Sequence, residues 1–209
     1  MKTSNPPLPP GYSPLAPGMI ANVVTCFEMT EKPPPRRARP LDDPLDLQRV
    51  QRPDLAEYRA LFRRVGQDWL WYSRLVMSDA DLRAILESPA VEVYILRRDG
   101  ETIGLLELDF RQEGQCELAF FGLVTDAIGK GAGRFLMDQA IAKAWAKPIQ
   151  RFWVHTCTFD HPSAVDFYQR SGFRPYAFAV EVQSDPRLTG HLPRTVAPRV
   201  PVLDSQAER

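Results

Sequence analysis

The chain has 209 residues, with 26 Lys+Arg against 26 Asp+Glu and 44% apolar content. That length suits one α/β domain, or one domain with a tail, and a net charge of zero argues against nucleic acid or an anionic membrane as the main partner, since both call for a basic surface. No run approaches the ~20 apolar residues of a membrane span, the start lacks the apolar stretch of a secretory signal, and Cys26, Cys116 and Cys157 form no CxxC pair, so a reducing, cytoplasmic setting is expected.

Ten of the 20 prolines fall in residues 1–40. Such a density favours extended backbone with few donors, so residues 1–44 read as a Pro-rich arm. Within it, Met19–Met29 is apolar and β-branched enough for a strand, expected to add to a sheet edge. The Arg36-Arg37-Ala38-Arg39 patch reads as solvated linker rather than a nucleic-acid arm. From Leu45 the pattern becomes regular. Leu45–Val50 reads as a short strand. Pro53 then opens a helix in which Leu55, Tyr58, Leu61, Phe62 and Val65 follow the 3.6-residue period, and Gly66 stops it. A second short helix follows Ser78, whose hydroxyl suits an N-cap. Val91–Leu96 and Thr102–Phe110 form a hairpin across Asp99-Gly100, where both residues tolerate positive φ. After Gly114 comes a strand over Cys116–Val124, too apolar for a solvated face. A helix then runs from about Gly131 to Ala146, followed by a strand at Arg151–Thr156. A helix over His161–Ser171 stops at Gly172, and a last strand runs from Phe173 to about Val182. Residues 184–209 carry Pro186, Pro193, Pro198 and Pro201 without helical period and are expected to be irregular. The order over residues 45–183 predicts an α/β domain: a mixed, mostly antiparallel central sheet of six or seven strands with helices on both faces.

The segment Gly129-Lys-Gly-Ala-Gly133 follows a buried strand and opens a helix. Glycines there allow a tight turn and leave successive N–H groups uncovered, while the helix N-terminus adds unpaired donors and the positive end of its dipole. Such a nest suits a pyrophosphate, with Lys130 and Arg134 at its rim. Glycines that merely close a turn would look the same. There is no GxxxxGK[ST], and the antiparallel context speaks against a dinucleotide fold. A second segment, His161 to Phe173, places Ala164 and Tyr168 one helical turn apart on one face, with the small residue leaving room beside the phenol.

Together the two segments resemble the motifs of the GNAT superfamily of N-acetyltransferases, in which Q/R-x-x-G-x-G/A opens a helix and N-x-x-A-x-x-x-Y-x-x-x-G-F follows a strand. Here the first runs over Ile128, Gly129, Lys130, Gly131, Ala132 and Gly133, and the second over His161, Ala164, Tyr168, Gly172 and Phe173. Ile128 stands where Gln or Arg is usual and His161 where Asn is usual. The first change removes a side-chain contact but not the backbone donors.

The resemblance implies acetyl transfer from acetyl-CoA to a primary amine, by direct attack and without a metal. It places the pyrophosphate on residues 128–134, with His161 near the helix start. The pantetheine arm would lie along the strand ending at Leu123 and Val124. It implies Tyr168 as the acid that protonates the departing sulfur, and a glutamate base fourteen residues before Gly131, at Glu117. Alternation puts Glu117 on the face of Ala119 and Phe121, where burial raises a carboxylate's pKa; Glu107 and Asp109 are the next candidates. For the acceptor, expected to be a small amine, Asp68, Trp69, Trp71 and Tyr72 sit in the region that shapes the acceptor site in this family. Asp68 can hold an ammonium and the rings can wall it. The short His155, Cys157, Asp160, His161 cluster has ligand-type side chains but no second ligand pair, and Cys157 reads as a small buried residue rather than a nucleophile. The alternative is a non-catalytic acyl-CoA-binding module of the same fold, whose arm and tail serve a protein partner or a homodimer.

Overall fold

The computed structural model describes residues 5–34 and 44–204. The arginine patch at 36–39 lies outside them. Seven strands form one sheet: β1 (Met19–Met29), β2 (Leu45–Val50), β3 (Val91–Arg98), β4 (Glu101–Asp109), β5 (Gln115–Leu123), β6 (Arg151–Cys157) and β7 (Arg174–Ser184). Five helices accompany them: α1 (Leu55–Gly66), α2 (Ser73–Val76), α3 (Asp79–Leu86), α4 (Ala132–Ala144) and α5 (Ala164–Arg170). The spatial order is β2-β3-β4-β5-β6-β1-β7, and every pairing is antiparallel except β5 with β6.

Local chemistry explains most boundaries. The Asp54 side chain accepts from the N–H groups of Ala56 and Glu57, both at 2.9 Å, and so starts α1 two residues after Pro53. Ser78 does the same for α3 through the Asp81 N–H at 3.1 Å. Asp99 and Gly100, with φ of 52° and 82°, close the β3–β4 hairpin as their residue types predict.

The position of β1 corrects the edge expectation. β1 lies inside the sheet, paired with β6 on one side (Val24 opposite Cys157) and with β7 on the other (Asn22 opposite Glu181). A strand apolar on both faces gains more from two neighbours than from one, since an edge leaves a row of backbone groups unpaired. Phe27 and Met29, buried within β1, join the main core.

That core lies on the face covered by α4 and α5, around Leu106, Leu108, Leu136, Met137 and Phe152. A second core on the opposite face packs α1 and α3 against Val91, Val93 and Leu105. Each such fully buried side chain contributes roughly 1.5–3 kcal/mol of transfer free energy. A third cluster joins Ile20 of β1 to Leu192, Val196 and Ala197 of the C-terminal segment. Residues 185–204, after β7, have no helix or strand, yet they are packed. Arg187 and Asp185 form a buried ion pair at 2.7 Å, and the same guanidinium donates to the carbonyls of Val196, Ala197 and Val200. A side chain here substitutes for the backbone ladder that a regular element would supply.

Candidate active site

β5 and β6 pair only over Gln115–Glu117 against Arg151–Trp153, and no ladder joins them beyond that point. The cleft between them has a volume of about 720 Å³, a size that suits a small-molecule site. Leu118–Leu123 line it from β5, Val154–Cys157 from β6, and Ala164, Phe167 and Tyr168 from α5.

At one end β5 passes through a 3₁₀ turn at Thr125–Ala127 into the glycine-rich loop. Gly129 and Gly131 adopt φ of 84° and 85°, and Gly131 is the N-cap of α4. A Cβ added at Gly129 would meet nothing within 4 Å, so the backbone conformation, not space, demands glycine there. Gly133 falls in the first helical turn and, with Ile128, borders the cleft, while Ala132 is fully buried. The first N–H groups of α4 have no intrahelical acceptor, which leaves a donor set facing outward. Lys130 is exposed, and Arg134 lies 3.9 Å from Asp138. Leu123 lines the cleft; Val124 instead donates its N–H to the Ile103 carbonyl at 2.9 Å.

Tyr168 projects from α5 into an aromatic nest of Phe27, Phe121, Phe167 and Phe173, with ring centroids 5.7–6.5 Å away. Burial, with a smaller push from Asp160, drives the phenol far above its usual pKa, so it keeps its proton.

Glu117 stands on a different face from the one alternation predicts. Phe120 pairs with Glu107 and Leu118 with Leu108, so Ala119 is an extra residue, a β-bulge that reverses the alternation. Glu117 therefore shares its face with Phe120, opposite Asp109, whereas Leu118 and Phe121 point to the α4 side. Burial, reinforced by the Asp109 and Glu107 carboxylates, raises the Glu117 pKa to about 7. Its side chain is 27% exposed, into the cleft, and its Oε1 is 3.8 Å from His155 Nδ1 across the gap between β5 and β6.

The other two carboxylates are committed elsewhere. Glu107 is fully buried, accepts from the Tyr58 hydroxyl at 2.6 Å and is ion-paired to Arg74. Asp109 takes a two-pronged contact from Arg111 at 2.6–3.0 Å. Among the three, Glu117 is the carboxylate left to face the cleft without such a clamp.

Trp69, Trp71 and Tyr72 line the cleft as expected positions, but each ring has a fixed role. Trp71 packs on Phe62 and Phe120 and donates its Nε1–H to Asp160 at 3.0 Å. Trp69 meets the His161 ring at 5.3 Å and carries the Arg199 guanidinium on its face at 4.8 Å. Tyr72 stacks on His191 and donates to Gln183 Oε1 at 3.3 Å. Asp68 lies outside the cleft lining and accepts from Thr125 Oγ1 at 3.2 Å, because the 3₁₀ turn at Gln67–Trp69 turns it toward the loop after β5. His161 does border the cleft, where Nδ1 accepts the Ser163 N–H at 3.2 Å near the start of α5. The Asp160 carboxylate is taken by Trp71, the Thr156 hydroxyl and the Cys157 N–H, so the four ligand-type residues of 155–161 are drawn to different partners. Burial pushes the Cys157 thiol up to about 11, which keeps it protonated and weakly nucleophilic.

His155, which the sequence places with Cys157 in a ligand-type cluster, borders the cleft, and so do Asn22 and Glu181, which no sequence motif singles out. Nothing local marked Asn22, whose place follows from β1 entering the sheet.

The acetyltransferase (GNAT) family pattern matches residues 55–173. No curated protein matches the chain. Among solved structures, the chain is similar to a GCN5-related N-acetyltransferase from Sphaerobacter thermophilus, at TM-score 0.56 and 12% identity, over 78% of this chain and 51% of that one. A functionally unknown conserved protein from Staphylococcus epidermidis aligns at TM-score 0.52 and 13% identity, over 80% of this chain and 64% of that one. An aminoglycoside acetyltransferase from an uncultured soil metagenomic sample, solved with trehalose, aligns at TM-score 0.50 and 17% identity, over 61% of this chain and 86% of that one. The chain thus spans less than two thirds of the first two proteins, and at these identities the likeness is one of fold. With the family pattern covering more than half of its length and the seven-stranded, split mixed sheet in place, the protein belongs to the acetyltransferase (GNAT) family.

Proposed function

We propose that this protein transfers an acetyl group from acetyl-CoA to the primary amine of a small acceptor, by direct attack. One observation carries the reading: a single cleft is lined by a carboxylate titrating near neutrality and by a buried phenol, with a glycine-shaped donor nest where β5 gives way to α4.

Acetyl-CoA supplies a thioester, an acyl group already activated toward an amine. The fit to this chain rests on two features. The main-chain donors at the start of α4 suit a pyrophosphate, and the part of β5 beyond Glu117 has no ladder partner on the β6 side, which leaves backbone groups for an amide-bearing arm. An alkylammonium has a pKa near ~10, so about one acceptor in a thousand is neutral at pH 7. Glu117, with its pKa raised to about 7, can exchange a proton near neutrality and in its ionised form takes the ammonium proton directly or through water. Tyr168 keeps its proton and donates it to the leaving sulfur. Cys157, held as a neutral thiol, gives no support to an acyl-enzyme route.

The test is calorimetric titration with CoA, followed by thiol release from acetyl-CoA over a panel of primary amines. Binding of CoA and amine-dependent thiol release that collapses in Tyr168→Phe are expected. No CoA binding would end the proposal; CoA binding with no thiol release would leave a binding module of the same fold.

A further inference from the structure

Resting on that reading, we infer that the acceptor carries a second hydrogen-bond donor, far from its reacting amine, and that Asn22 receives it. Asn22 is a polar side chain only 3% exposed, on β1 beside the edge strand β7, and it borders the cleft. Its Nδ2 donates to Glu181 Oε2 at 3.3 Å on the neighbouring strand. That bond sets the amide plane, because the reversed amide would press Oδ1 against the carboxylate. Oδ1 is then left buried with no hydrogen-bond partner among the described residues. A buried carbonyl oxygen without a donor is uncommon in folded proteins and asks for an explanation. Here the cleft supplies one, since a ligand group with an N–H or O–H completes the set.

The surroundings agree. Asn22 and Glu181 are directly opposed on β1 and β7, and Gln183, two residues further along β7, lies on the same face and holds the Tyr72 hydroxyl. Asp160, also on the lining, adds negative charge. Arg199 is bound to the Phe159 and Asp68 carbonyls and lies on Trp69, while the two arginines of the lining, Arg74 and Arg111, are paired with Glu107 and Asp109.

Strand register gives the length. Glu117 is level with Trp153, which pairs with Glu28 of β1. Asn22 lies six residues from Glu28, on the order of 20 Å along the strand at ~3.3 Å per residue. The acceptor is therefore elongated, with an amine at one end and an ammonium or hydroxyl at the other. This end of the cleft is built by β1, β7 and the C-terminal segment, largely outside the part of the chain that matches the family pattern.

The experiment uses three oligo(ethylene glycol) amines of equal length, ~20 Å, ending in an ammonium, a hydroxyl or a methoxy group. Wild type should show an acceptor KM about tenfold lower for the ammonium- and hydroxyl-ended compounds than for the methoxy-ended one, a difference of ~1.4 kcal/mol. Asn22→Ala should abolish the advantage through KM rather than kcat, with CoA affinity unchanged as the check on folding. Equal KM values for all three in wild type, or an advantage that survives Asn22→Ala, would overturn the inference. If CoA binds but no thiol is released, the enzymatic reading fails; the same three compounds, titrated into the CoA-bound protein, still decide the Asn22 contact by the same ratio of affinities.

Discussion

Two buried arginine–carboxylate pairs flank the cleft's surroundings, and they belong to different parts of the chain. Arg74–Glu107 lies within residues 55–173; it ties α2 to β4 across 33 positions and recruits the Tyr58 hydroxyl. Arg187–Asp185 lies outside that stretch; its partners are two residues apart, and its guanidinium organises residues 185–204, which have no helix or strand, by donating to four carbonyls. The first pair stiffens a scaffold that helices and ladders already define. The second is itself the scaffold for the C-terminal wall. Inside the family-matched stretch the fold carries the proposed chemistry, Glu117 and Tyr168, on strand and helix. Outside it, side-chain staples carry the proposed acceptor end.

Perturbing each part should separate these roles. The largest effect is expected inside the matched stretch: Tyr168→Phe should lower kcat by ~10²–10⁴-fold while calorimetry shows CoA affinity retained, because a proton donor is lost and little packing changes. Glu117→Gln should lower kcat by ~10²-fold at pH 8. In wild type the rate should rise as pH increases through about 7 and then level off, since the raised pKa keeps the base protonated below that point. A pH profile of the variant should lack that inflection. The same raised pKa means that ionising Glu117 costs stability as pH rises from its unfolded value through the folded one near 7, and the loss is complete above it, so Glu117→Gln should melt at a higher temperature than wild type at pH 8.

Outside the matched stretch, Arg187→Met should leave Asp185 as a lone buried carboxylate, a loss of ~3–5 kcal/mol in the local packing. The expected readout is a rise of about tenfold in acceptor KM with CoA affinity held, and faster hydrogen exchange confined to residues 185–203. An equal loss of CoA affinity would show that the two parts do not act separately. Gly131→Ala tests the opposite corner: an L-residue at φ 85° costs ~1–2 kcal/mol. CoA affinity should fall by roughly tenfold with acceptor KM unchanged.

Much of this was legible along the chain. Helices α1 and α3 followed from Pro53, Ser78 and the 3.6-residue spacing of Leu55, Tyr58, Phe62 and Val65. The hairpin followed from Asp99-Gly100, and the left-handed Gly129 and Gly131 from glycines placed between a strand and a helix. These are local preferences, set by a residue and its near neighbours, so sequence alone determines them. Tertiary structure decided the rest. A bulge at Ala119 turned Glu117 to the Phe120 face, because register is a property of two strands together. β1 entered between β6 and β7 instead of joining an edge, and so brought Asn22 to the cleft. The C-terminal segment became a wall because Arg187 met carbonyls nine to thirteen residues away. None of these partners is near in sequence, and only the folded chain could bring them within reach.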